Sequence, residues 1–360
     1  MRARAPGGYN PAMAEPRYLL DLPPEAAETA LAELAAEAGE PAYRARQVLE
    51  WVYRKRVDAF AAMHTLPAPF RGFLAGRVTL RRLAVGTRQA SRDGSTKTLW
   101  VLPDGERVES MRMPHPGRLT LCLSSQVGCP LQCAFCATGL LGLRRDLSPG
   151  EIVEQVLWTL AEEPAVPSCN LVFMGMGEPL LNLDAVLAAI ALLTHPDRGG
   201  IGKRRITVST VGLPEQIVAL GRAEPGVRLA LSLHAPDDAR RRELMPIARK
   251  HTLTEVLEAC RAWIAATHQR VTFEYLLLPG VNDAPADARA LAALLNPLPG
   301  KVNLIPYNPV PGLPFVAPDP KRVDAFGAAL AAAAHFPVTV RWSKGRDIAG
   351  ACGQLRAETA

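Results

Sequence analysis

Nothing in this 360-residue chain approaches the run of about eighteen apolar residues that a membrane-spanning helix needs. Aromatic residues are sparse at 6% and charged ones modest at 21%, yet hydrophobic residues reach 48%, enough to bury a core. An intrinsically disordered chain, a collagen-like repeat and a coiled coil are thereby excluded. Cysteine is too scarce, and at seven odd in number, for a secreted disulfide scaffold. Lysine is scarcer relative to its class, with seven among 41 basic residues, as a GC-rich genome would give. The opening Met1-Arg-Ala-Arg-Ala-Pro-Gly-Gly lacks the apolar stretch of a secretory leader, so a cytoplasmic location is expected.

What is present is unevenly placed. Between Pro41 and Arg92 stand eleven Arg or Lys and only two acids, Glu50 and Asp58, a local charge of +9; the other 308 residues sum to –3. Such a module suits a polyanion, nucleic acid foremost, although a solvated basic face is the plainer alternative. The same stretch is helical in pattern. One helix runs from Pro23-Pro24 to Gly39 with Ala27, Leu31, Leu34 and Ala35 on one stripe. A second holds Ala45, Val48, Leu49 and Val52, with Trp51 either core or a base-stacking platform. The expected divisions are a flexible tail over 1–20, a basic helical module over 21–92 suited to nucleic acid and a β-hairpin over 93–114. A catalytic domain over 115–342 and a C-terminal loop over 343–360 complete them.

The hairpin turns at Pro103-Asp104-Gly105. After it, short apolar strands alternate with helical stretches. The strands are Leu119–Ser124, Asn170–Met174, Arg205–Thr210, Arg228–His234, Val271–Leu278 and Lys301–Tyr307, with Val338–Trp342 a candidate seventh. Helical patterns near 148–162, 183–194, 214–222, 253–268, 284–296 and 320–335 fill the gaps. The fold class is therefore α/β, a partial (β/α)6 barrel whose site lies at the C-terminal ends of its strands.

Four of the seven cysteines fall within fifteen residues. Cys129-Pro-Leu-Gln-Cys133-Ala-Phe-Cys136 follows the first barrel strand, and three thiolates on a short loop can hold three irons of a [4Fe–4S] cluster. Cys122 lies about 20 Å back along its strand if that strand is regular. No fourth ligand is evident, which leaves one iron open to a small molecule. A structural zinc site is the competing reading, but it wants four closed ligands, and no His follows at finger spacing. Other strand ends offer polar groups too: Gly177 and Glu178 in Phe173-Met-Gly-Met-Gly177-Glu178-Pro179, Ser209, then Ser232, Leu233 and His234, and Asn308. Cys169 and Cys260 have the setting of small buried hydrophobes.

The cysteine spacing resembles the radical S-adenosylmethionine (SAM) superfamily. Within it the chain closely resembles the RNA adenine methyltransferases of the RlmN/Cfr family over essentially its whole length. The match rests on Arg118-Leu-Thr-Leu-Cys122-Leu-Ser-Ser-Gln-Val-Gly-Cys129, Met174-Gly-Met-Gly-Glu-Pro-Leu180, Ser232-Leu-His-Ala-Pro236, Val302-Asn-Leu-Ile-Pro306 and Gly350-Ala-Cys352-Gly-Gln-Leu355. The resemblance implies one [4Fe–4S] cluster on Cys129, Cys133 and Cys136, two SAM molecules per turnover, and SAM contacts from the strand-end residues just named. It also implies that Cys352 takes a methyl from one SAM, and that a radical from the second SAM removes hydrogen from that S-methyl group. The resulting carbon radical adds to the adenine ring. Cys122 then helps release the product by deprotonation, forming a transient disulfide with Cys352, and Glu109 aligns with the family's proposed proton acceptor, though alone it reads as a solvated hairpin carboxylate. One departure stands out: Ala349-Gly350 occupies a place where relatives carry Asp-Ala, and a glycine there would loosen the loop.

The expected reaction is methylation at C2 of an adenosine in 23S rRNA and in tRNA, by a monomeric enzyme fed by a one-electron reductant such as a flavodoxin. The alternatives are the C8-methylating, resistance-associated branch of the same family and a non-catalytic RNA-binding iron–sulfur regulator.

Overall fold

The computed structural model describes residues 16–163 and 168–357. Its chain opens with the short β1 (Arg17–Tyr18) and the helices α1 (Pro24–Glu37), α2 (Arg44–Tyr53) and α3 (Ala68–Ala75), followed by β2 (Val78–Thr79). Pro24 begins α1, where its missing N–H is no loss, and Ala27, Ala30, Leu31 and Ala35 form the buried stripe. Trp51 is buried on α2 and donates its indole N–H to Thr65 Oγ1 at 2.7 Å, so it is core.

The tail expected over 1–20 is corrected at its end, while residues 1–15 lie outside the described residues. β1 pairs in parallel with β2, and Tyr18, Leu19 and Leu20 are buried. The anchor is Glu154, a buried carboxylate that accepts from the Tyr18 hydroxyl, the backbone N–H groups of Arg82 (2.6 Å) and Leu83 (2.8 Å), and the Trp158 indole (2.7 Å).

β3 (Ala84–Ala90), β4 (Thr96–Val101) and β5 (Arg107–His115) form an antiparallel ladder, so the expected hairpin has a third strand inside the span assigned to the helical module. β3 is an edge strand with little buried on either face, which is why no alternation marked it. The ladder continues into β6 (Arg118–Cys122). A small ribbon, β7 (Gln126–Gly128) with β8 (Leu143–Asp146), brackets the cysteine loop. The alternating part then runs α4 (Pro149–Ala161), β9 (Cys169–Phe173), α5 (Leu183–Thr194), β10 (Ile206–Thr210), α6 (Pro214–Ala223) and β11 (Arg228–Ser232). It goes on through α7 (Asp238–Leu244), α8 (Leu253–Thr267), β12 (Val271–Leu277), α9 (Pro285–Leu295), β13 (Gly300–Pro306), α10 (Pro320–Ala333) and β14 (Val338–Val340). Seven-residue α7 is the one helix here without a counterpart in the sequence pattern, since only Arg241 and Leu244 are buried on it.

One sheet of order β14-β13-β12-β11-β10-β9-β6-β5-β4-β3 joins ladder and barrel, with β6 and β9 to β14 all parallel. Its outward residues are apolar and buried beneath the helices: Leu121, Leu171, Val208, Leu229, Phe273, Leu304. The inward row is polar: Thr120, Asn170, Thr207, Thr272, Glu274 and Asn303 line one shared cavity. Parallel strands covered on both faces are normally apolar on both. A polar inner row therefore means that the curved sheet encloses a chamber instead of a packed core.

Candidate active site

Two chambers occupy the concave side of the sheet. The upper one, about 150 Å³, is lined by Cys129, Cys133 and Cys136 and by the strand-end residues Gly177, Glu178, Ser209, Thr210, Ser232 and His234. The three cysteines are free thiols on the loop between β7 and β8. Local hydrogen bonds fix that loop: Cys129 N–H to the Gly142 carbonyl (2.9 Å), Cys136 N–H to Cys133 (3.1 Å) and Ala134 N–H to Leu244 (2.9 Å). Burial pushes the Cys129 thiol up to about 12, and burial together with its two neighbours raises Cys133 as well. Three half-buried thiols lining one chamber suit a group that takes them as thiolates. Among the described residues, no three His, Cys, Asp or Glu side chains form a cage for a single ion. A four-iron cube takes its thiolates on separate irons, so the spread of these three fits it better than zinc.

Gly177 has a φ of +98°, and a Cβ there would lie 2.6 Å from that of Gln126, so both conformation and space demand glycine. The turn it makes delivers Glu178, fully enclosed, whose carboxylate accepts from Leu180 N–H (3.1 Å) and Val211 N–H (2.9 Å). Burial lifts Glu178 to about 7, leaving a carboxyl in search of a cation. His234 is held at a φ of +58° and accepts from Leu276 N–H at Nδ1 (3.1 Å); burial first, then Arg241, depress it to about 3, so it is a neutral imidazole. Two of the expected cofactor residues stand elsewhere. Leu233 is wholly buried in the core, and Asn308 donates to Ser343 Oγ (2.9 Å) at the root of the C-terminal loop, lining neither chamber.

The lower chamber, about 500 Å³, extends between the strands toward their N-terminal ends. Cys122 lines it, and Cys352 lines both chambers. Both are free thiols, and the disulfide implied between them is not formed in the structure. Burial, then the neighbouring Cys352, push Cys122 up to about 12; burial raises Cys352 as well, against the pull of Arg341. Arg341 and Glu274 share this chamber and neither was singled out in the sequence, although an acid within the apolar strand Val271-Thr-Phe-Glu274-Tyr is a visible signal. Glu109 lies outside both chambers, paired with Lys97 at 3.0 Å. Gly350 does not loosen its loop by a left-handed backbone. A Cβ there would lie 2.6 Å from Met111 Sδ, so the glycine makes room for a side chain, and the positive φ falls on Ala349 (+49°) instead.

Comparison with known proteins gives the same class. Residues 123–292 match the family model described as the Radical SAM superfamily, so barrel, cysteine loop and strand-end turn are those of a radical SAM protein. Residues 19–80 match the ribosomal RNA large subunit methyltransferase N-terminal domain. The chain is 47% identical over 358 residues to the dual-specificity RNA methyltransferase RlmN of Anaeromyxobacter sp. (strain Fw109-5), covering 97% of this chain and 93% of that one. With a probable dual-specificity RNA methyltransferase RlmN of Thermus thermophilus it shares 45% over 315 residues, 87% and 88% of the two chains. A solved radical SAM methyltransferase from Sphaerobacter thermophilus superposes with a TM-score of 0.89 at 44% identity, over 95% of this chain and 100% of that one. The chain belongs to the RlmN family. No helix among the described residues is long and apolar enough to cross a membrane.

Proposed function

We propose that this chain is a radical SAM RNA methyltransferase acting at C2 of an adenosine in 23S rRNA and in tRNA, with Cys352 carrying the methyl group. The observation that carries the reading is the place of Cys352 in the wall shared by the two chambers. C2 of adenine lies between two ring nitrogens and is too electron-poor to attack the methyl of SAM, whereas a thiolate can. A relay through sulfur therefore needs one thiol within reach of cofactor and base, which is what a shared wall provides.

In this reading Cys129, Cys133 and Cys136 hold a [4Fe–4S] cluster, which supplies, with SAM and one electron from a donor such as a flavodoxin, the radical that activates the S-methyl group. Glu178 receives the SAM ammonium, and Ser209, Ser232 and His234 offer hydroxyl and imidazole groups to the rest of the molecule. Cys122 faces the lower chamber and takes part in freeing the product from Cys352. Glu109 receives the proton lost from C2.

The RNA side is supported by the chamber floor. Arg118, Arg205, Arg228 and Lys301 stand at the N-terminal ends of β6, β10, β11 and β13 around the lower chamber and make no ion pair among the described residues. Trp342, 44% exposed with Arg346 over its ring at 5.9 Å, lines the same chamber. A cationic rim with an open aromatic suits a nucleotide splayed out of its stack.

The test is mass spectrometry of digested 23S rRNA and tRNA after incubation with anaerobically reconstituted protein, isotope-labelled SAM and a reductant. Labelled 2-methyladenosine is expected in both. Labelled 8-methyladenosine would move the chain to the other branch of the family, and no labelled base despite SAM cleavage would overturn the substrate assignment.

A further inference from the structure

The loop bearing Cys352 is held on both flanks by one ion pair that lies outside the two chambers. Lys97 on β4 and Glu109 on β5 meet at 3.0 Å, and Glu109 is only 2% exposed. Glu109 Oε2 accepts from the backbone N–H groups of Arg356 (2.9 Å) and Ala357 (3.1 Å), beyond the cysteine. Lys97 Nζ donates to the Ala349 carbonyl (3.5 Å), before it. Between these anchors the loop rests on the cysteine-rich loop: Ala137 N–H donates to Gly353 O and Thr138 Oγ1 to Leu355 O, both at 2.7 Å. Left-handed conformations at Ala349 and Gly353 bracket Cys352.

Both carboxylate oxygens of Glu109 are engaged in this state. One oxygen faces Lys97 and the other holds two amides, which fills its two lone-pair sites. It lines a separate small cavity with Lys97, Ala349, Gln354 and Arg356. Met111, two residues along β5 on the same face, does line the lower chamber. The carboxylate is thus one pleat repeat, about 7 Å, from the chamber wall.

We propose that Lys97 and Glu109 form a clasp that positions the Cys352 loop against the cluster-binding loop, and that Glu109 becomes free to serve the lower chamber only when the tail leaves it. The inference rests on the reading in which Cys352 carries the methyl group and Glu109 receives the proton. Loop docking and proton acceptance then exclude each other. Cys352 is held beside the cofactor while Glu109 is occupied, and removal of the C2 proton follows tail release. Lys97 is a positioning residue, acting through Ala349 and Glu109.

The test is amide hydrogen exchange on the full-length, cluster-reconstituted protein, resolved at Arg356 and Ala357. Lys97→Met and Glu109→Ala should each speed exchange at these two amides at least tenfold, with the amides of β12 unchanged as a check on folding. Lys97→Arg should restore protection. Methylation of Cys352 by SAM alone, followed by peptide mass without RNA, should slow several-fold in Lys97→Met and recover in Lys97→Arg. Unchanged exchange at both amides in a folded Lys97→Met protein would overturn the clasp. Wild-type protein that shows the exchange pattern but methylates no RNA would keep the clasp and remove the functional reading instead.

Discussion

At Glu178 a single side chain ties the fold to pH. Its carboxyl is lifted from 4.5 to about 7 by burial, so the native state holds a proton that the unfolded chain has already released. The sign follows by linkage: this contribution to stability is fully present below about 4.5 and is lost as pH rises through about 7. A bound ammonium reverses the preference by favouring the carboxylate. SAM affinity should therefore rise about tenfold per pH unit below 7 and fall again above about 8, where the α-ammonium itself deprotonates, measured by titration calorimetry on reconstituted protein. Glu178→Gln should weaken binding and flatten the profile; a wild-type profile already flat would mean that the ammonium lies elsewhere. Gly350 makes a second residue-scale case. Gly350→Ala overpacks against Met111 and should destabilise by about 1–3 kcal/mol in denaturant unfolding. Met111→Ala in the same chain should return most of that loss, and simple additivity of the two changes would show that the contact is not the cause.

Among the elements, α4 carries more than its place in the barrel requires. Its Ser148/Glu151 capping box and Pro149 fix the start, and from its middle Glu154 gathers four donors from three segments of the chain. Glu154→Leu would strand those donors at about 1–3 kcal/mol for each one left buried and unpaired. A large fall in melting temperature is expected, with new proteolytic cuts between residues 16 and 83. Cutting confined to the barrel would show that Glu154 does not anchor the N-terminal segment. The barrel helices were legible because each has an apolar stripe at helical spacing, and the strands because Leu, Val and Ile fill their outward row. What escaped is what lacks such a stripe: exposed β3 and charged α7. The three loop cysteines share a chamber with Glu178 and five other expected groups, since local spacing carries them. Arg341 and Lys97 were not legible, because partners from strands far apart in sequence give them their setting, whereas Glu274 stood out as an acid in an apolar strand.

Over the whole molecule, charge counted along the chain and charge arranged in space point to different surfaces. Seven of the eleven cations in residues 41–92 are paired with acids from within and outside that stretch: Arg44 with Glu40, Arg46 with Glu28, Arg54 with Asp197, Lys55 with Glu50, Arg81 with Asp58, Arg82 with Asp21 and Arg88 with Glu162. Such pairs add little stability, but they satisfy cations that a phosphate would otherwise have to recruit. The barrel floor is the reverse case. Basic residues recur at strand starts, as Arg118-Leu, Arg205-Ile and Arg228-Leu, and one acid, Glu274, faces seven Arg, Lys or His side chains around them. Burial, then Lys344, Arg118 and Arg341, hold His115 below its usual value, as expected where cations crowd one space. If the target strand lies on this floor, replacing Arg118, Arg205, Arg228 and Lys301 by Ala should lower the salt dependence of RNA binding by about 3 in log–log slope. Replacing Arg46, Arg54, Arg81 and Arg88 should lower it by less than about 1. Methylation of Cys352 by SAM alone should stay at the wild-type rate in the floor variant, since that half of the reaction involves no phosphate. The opposite ranking of slopes would put the RNA on the helical module and leave the floor cations without a ligand.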